Sequence, residues 1–129
     1  MTTELMYLSL VTTFTALMWI PYVLNRMVVR GLMATVGYPD DPKPLAAWAE
    51  RMKAAHYNSV ENLVVFAVLV LVANAVGASN ECTAAAAAVY FWARIAHFFA
   101  YAFRIPWVRT LAFAAGWLAQ IAFAWHILT

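Results

Sequence analysis

Residues 94–101 read RIAHFFAY, an arginine, a histidine and a tyrosine set into an otherwise apolar run. At about 100° per residue, Arg94, His97 and Tyr101 fall within about 60° of one another on a helix. One stripe of what reads as a membrane span therefore carries a guanidinium, an imidazole and a phenol. A lone arginine at the bilayer centre costs about 2.5–3.5 kcal/mol on insertion scales, so Arg94 calls for a partner or a task.

The rest of the chain fits a membrane setting. Of 129 residues, 66% are hydrophobic and only 11% are charged, and the mean hydropathy is +0.74. Soluble domains run nearer half apolar and a quarter charged. The net charge of +2 is small and scattered, which speaks against a nucleic-acid partner. A single cysteine, Cys82, excludes an intrachain disulfide framework. No metal-ligand spacing, Gly-rich phosphate loop or Ser/His or Cys/His triad arrangement is evident, so no metal is expected.

Outward from the central stripe, the hydropathy divides the chain into an all-α, integral-membrane four-helix bundle subunit forming one domain over residues 1–129. Its expected spans are about 5–27, 47–76, 83–103 and 107–128. The first apolar run exceeds a signal-peptide core and has no basic residue ahead of it, so it reads as a retained span. Pro21 near its end is expected to kink it. Gly31 and the GYPDDPKP segment, residues 37–44, break the pattern as a loop. The second span is apolar only from Leu63 to Val76, and reaching bilayer length brings Asn58, Glu61 and Asn62 into it. The third is rich in alanine, at Ala84–Ala88, Ala93, Ala96 and Ala100, which lets neighbouring helices approach closely. In the last, Trp107, Trp117 and Trp125 include candidate interface anchors.

Arg26, Arg30, Lys43, Arg51, Lys53, Arg104 and Arg109 flank the first and third connections, whereas the second carries only Glu81 and the N-terminus only Glu4. The positive-inside rule then places the basic connections in the cytoplasm and both termini outside. Counting about 1.5 Å per residue, Arg94 lies about 15 Å from Arg104, and Glu61 about 12–15 Å from Arg51 and Lys53. The one intramembrane acid and the one intramembrane base thus share a depth and are expected to pair, directly or across a subunit boundary. Asn58 and His97 match in depth one turn nearer the basic end. Arg51, Ala54, Asn58 and Glu61 share a face, His56 points away as a satisfied histidine, and the two polar stripes outline a cleft. A cationic cleft with one carboxylate suits a small zwitterionic ligand. A thiol on that ligand would be favoured as thiolate by a nearby arginine, and Arg109 with Thr110 at the mouth of the last span are best placed.

Asn58-Ser-Val-Glu61, then Arg94-Ile-Ala-His97 and Tyr101, then Pro106 and Arg109-Thr110, resemble the MAPEG superfamily, the membrane-associated proteins of eicosanoid and glutathione metabolism. YFWAR and IPWVRTLAF are typical of a bacterial branch, which implies a bacterial inner membrane, and the likeness covers roughly residues 48–120. The resemblance implies a homotrimer with glutathione in clefts between subunits. Asn58, Glu61, Arg94, His97 and Tyr101 match glutathione-site positions, with Arg51 a substitute cation on the same face. Arg109 matches the arginine credited with stabilising the thiolate, Thr110 a hydroxyl beside it, and Arg26 or Arg30 the first-helix arginine. Ala54 and Tyr57 stand where the prostaglandin synthase has arginines, and Phe113 where it has a tyrosine. The expected activity is that of a glutathione-dependent transferase or peroxidase acting on lipophilic electrophiles delivered from membrane lipid. The alternative is a non-enzymatic membrane protein whose cleft binds a lipid headgroup or a partner helix.

Overall fold

The computed structural model describes all 129 residues. The chain forms α1 (Thr3–Leu17), α2 (Trp19–Arg30), α3 (Leu32–Val36), α4 (Ala47–Val76), α5 (Glu81–Ala102) and α6 (Pro106–Leu128). Four helical rods are long and apolar enough to cross a bilayer: Thr3–Arg30, Ala47–Val76, Glu81–Ala102 and Pro106–Leu128. The first is α1 and α2 joined at Met18, whose N–H bonds the Thr15 carbonyl at 3.3 Å. Pro21 has no N–H for the preceding turn, which accounts for a break here rather than elsewhere in the rod. The stretch read as loop after Gly31 holds one extra element, the short α3.

α5 is the helix the others lean on, packing against α6, α4 and α1. It buries ten of its 22 residues, and half of these are alanines: Ala86, Ala87, Ala93, Ala100 and Ala102. Short side chains there let the other rods close in. Its start is fixed by a capping box, Asn80 accepting from the Thr83 N–H at 3.0 Å while Thr83 Oγ1 accepts from the Asn80 N–H at 2.8 Å. Glu4, read from the sequence as a charge at the outer end, is instead buried and accepts from Thr83 Oγ1 at 2.6 Å. That bond ties the first turn of α1 to the first turn of α5.

Two apolar clusters fill the bundle. One contains Val11, Phe66, Val70, Ala73, Ala86, Ala87, Tyr90, Ala119 and Phe123, with Phe66 and Tyr90 stacked at 3.8 Å. The other, at the basic end, contains Met18, Tyr22, Leu45, Ala49, Met52, Phe98 and Ala102. Between them along α4 and α5 lie Asn58, Ser59, Arg94 and His97. The polar residues therefore form a layer between two greasy ones. Outward, Val64, Val68, Leu71, Trp92, Leu118 and Trp125 stay exposed, as surfaces for lipid or another helix.

Candidate functional site

Arg94 is the largest fully buried side chain in the chain, 1% exposed. Its Nη2 donates to Asn58 Oδ1 at 2.8 Å and Ser59 Oγ at 2.9 Å, and lies 3.3 Å from His97 Nδ1. Nη2 has two hydrogens for these three neighbours and no lone pair to offer, so His97 Nδ1 meets it as an acceptor sharing one of them, with the ring proton on Nε2. Asn58 Oδ1 also accepts from Asn62 Nδ2 at 3.3 Å. With that oxygen engaged twice, the Asn58 amide keeps its N–H groups for another partner. Gly116 of α6 faces this layer, where a Cβ would sit at ordinary contact distance, 3.7 Å from Tyr90 and 3.8 Å from Arg94.

Within the chain Glu61 and Arg94 do not pair. The buried stripe of α4 runs through Met52, Ala55, Ser59, Phe66, Val70 and Ala73, and at 100° per residue Glu61 falls roughly opposite it. Its side chain is exposed on the outer face of α4. The depth match between the two residues stands; the direct contact does not, because depth is blind to rotation about the helix axis. Ser59 occupies the place foreseen for the acid.

Above the polar layer the surface opens into two adjoining depressions. A cavity of about 250 Å³ is lined by Asn58, His97, Tyr101, Arg109, Thr110 and Phe113. Beside it a cleft of about 280 Å³ is lined by Arg51, Ala100, Tyr101, Arg104, Ile105, Pro106 and Arg109. Tyr101 and Arg109 border both, the guanidinium 5.0 Å from the phenol ring centre. His97 meets Tyr101 edge-on at 5.7 Å and approaches Phe113 at 6.3 Å. Arg51 is held by its Nε, which donates to the Ala102 carbonyl at 2.8 Å.

Thus Asn58, His97, Tyr101, Arg109 and Thr110 meet around one cavity, Arg94 braces it from below, and Arg51 lies in the neighbouring cleft. Glu61 points away, on the exposed side of α4. Arg30 is tied to the first connection, its Nε donating to the Lys43 carbonyl at 2.6 Å. His56 is satisfied, its Nδ1 2.7 Å from the Tyr22 hydroxyl of α2. Two site residues have no counterpart in the sequence reading. Ser59 is one, and only the phase of the α4 stripe could have pointed to it. The other is Arg104, at φ 60°, the one non-glycine residue with positive φ. It closes α5 in a left-handed turn, with the Ile105 N–H bonding the Ala100 carbonyl at 2.8 Å. Glycine is usual at such a helix end, and another residue costs about 1 kcal/mol.

Comparison with curated proteins and with solved structures returned no match. The MAPEG family model matches residues 9–129, nearly the whole chain, taking in most of the first rod, the other three and both depressions. Four apolar rods with such a match make this an integral, multi-pass membrane protein, and the chain belongs to the MAPEG family.

Proposed function

We propose that the protein is a membrane-embedded thiol-dependent enzyme, binding glutathione in the 250 Å³ cavity and using it on lipophilic electrophiles. The observation that carries this reading is the convergence of Asn58, His97, Tyr101, Arg109 and Thr110 on that cavity. Glutathione, when bound, supplies the nucleophilic sulfur. Its two carboxylates match the donors the cavity offers, the spare Asn58 N–H groups, the His97 Nε2–H and the Arg109 guanidinium, and the Tyr101 phenol oxygen accepts from its ammonium. Arg109 favours the thiolate by its charge, and the Thr110 hydroxyl donates a second bond to the sulfur. Arg94 holds Asn58 and His97 in place and fixes the His97 tautomer, acting through its neighbours.

The exposed Glu61 and the open sides of the cavity favour completion by another copy of the chain, as in a homotrimer. A carboxylate facing lipid within an apolar stretch is unfavourable, and a subunit boundary at that face of α4 would cover it. There Glu61 would meet the ligand ammonium or a cation of the neighbour, Arg26 being one whose Nε is buried without a partner. The basic ends of the rods are read as cytoplasmic and both termini as outside.

The test compares conjugation of a lipophilic electrophile, and reduction of a lipid hydroperoxide, between the wild type and two variants. Arg109→Ala should lower turnover about tenfold or more, the worth of a charge-assisted bond to the reacting atom. His56→Gln, away from the cavity, should not. Equal turnover in wild type and Arg109→Ala would remove the arginine from the chemistry.

A further inference from the structure

The 280 Å³ cleft differs in chemistry from the cavity beside it. Three arginines from three elements border it: Arg51 on α4, Arg104 in the turn after α5, and Arg109 on α6. No acid lines it. Glu50, next to Arg51 in the chain, is turned to accept from the Leu45 N–H at 3.3 Å. Arg51 is anchored by the Ala102 carbonyl. Arg104 holds a left-handed backbone conformation that a glycine would take more readily, so a long cation is kept where the backbone disfavours it. α6 begins at the same edge, and no side chain caps its first N–H groups.

We propose that this cleft is a binding site for a phosphate group, gripped by Arg51 and Arg104 with Arg109 on the side shared with the neighbouring cavity. Three guanidinium groups approaching from three elements suit a tetrahedral anion, which presents acceptor oxygens in several directions. A planar carboxylate with one negative charge would satisfy one fork and leave the others facing each other. Trp107, 77% exposed beside the cleft, is of the type that settles at the membrane–water boundary, where lipid phosphates lie. A phospholipid headgroup and a water-soluble phosphate compound are the two sources of such a group. The site stands independently of the thiol reading.

The experiment is calorimetry at low salt on detergent-purified protein, with inorganic phosphate, dihexanoyl phosphatidic acid, dihexanoyl phosphatidylcholine and glutathione as probes. Saturable binding of inorganic phosphate or of phosphatidic acid to the wild type is expected. Tighter binding of phosphatidic acid assigns the group to a lipid, and equal binding assigns it to a soluble phosphate; either outcome supports the site. Arg104→Gly should weaken phosphate-probe binding about tenfold or more, as loss of a charge-assisted contact does, and should raise the apparent melting temperature. Arg104→Asn, which also tolerates this backbone, should reproduce the binding loss. A loss of affinity in a protein made more stable cannot be misfolding. Glutathione affinity should stay within experimental error in both variants. Failure of both phosphate probes to bind the wild type overturns the proposal. So does undiminished binding in the variants, or a parallel loss of glutathione and phosphate that would make the two depressions one site. Phosphate binding of the expected pattern with no glutathione binding would overturn the thiol reading and leave this one in place.

Discussion

Ser59 and Tyr90 are both buried hydroxyls near Arg94, yet they stand in opposite positions. Ser59 Oγ accepts one of the arginine's bonds at 2.9 Å, whereas the Tyr90 hydroxyl is buried without a partner. Removing the first takes a bond from a buried cation, so Ser59→Ala should destabilise the protein by about 1–3 kcal/mol. Removing the second takes away a polar group that gains nothing, while the ring keeps its stack on Phe66. Tyr90→Phe should therefore be neutral or stabilising by about 1 kcal/mol. Detergent-denaturation midpoints of the two variants check both signs. Arg94, His97, Asn58 and Tyr101 stood out in the sequence because charged and polar side chains are rare in apolar runs. Ser59 did not, since a serine on a membrane helix is cheap and common, and only its contact with Arg94 gives it weight.

At the scale of the helix, lengths and order were readable because bilayer thickness sets one and hydropathy the other. Rotation was harder. In α4 the polar residues and the apolar ones are spread around the axis, with tyrosine, valine and glutamate all exposed at Tyr57, Val60 and Glu61. A helix that meets lipid on one side and protein on the other has no single polar face to orient it, which is why depth put Glu61 beside Arg94 and rotation took it away. The Arg104 turn was hidden for a related reason: nothing in the side chain announces a positive φ where glycine is the customary residue. α5 and α6 give two predictions. Gly116→Ala adds a methyl at ordinary contact distance from Tyr90 and Arg94. It should raise stability by about 0.5–1 kcal/mol through helix propensity, seen as a higher melting temperature. Asn80→Ala removes the acceptor that caps α5 and should cost about 1 kcal/mol in the same measurement.

For the molecule as a whole, the arrangement that matters is a polar layer held between two apolar clusters and opening toward the basic end of the bundle. The lower cluster fixes α4 against α5, the layer sets Asn58 and His97, and the last helix brings Arg109 and Thr110 over them. Chain composition and motif order carried the reader to this family and to most of the cavity wall. They could not divide the wall into two depressions, because that division depends on how the turn after α5 directs Arg104. Arg109 is exposed and packs only loosely over Tyr101, so Arg109→Ala should leave the melting temperature nearly unchanged even as it lowers turnover. The central functional claim is that the cavity binds a thiol tripeptide. Calorimetric titration of glutathione into the purified wild-type protein tests it most directly. Saturable binding, weakened in Asn58→Ala and Arg109→Ala, is the expected result; no heat of binding at millimolar glutathione would contradict it.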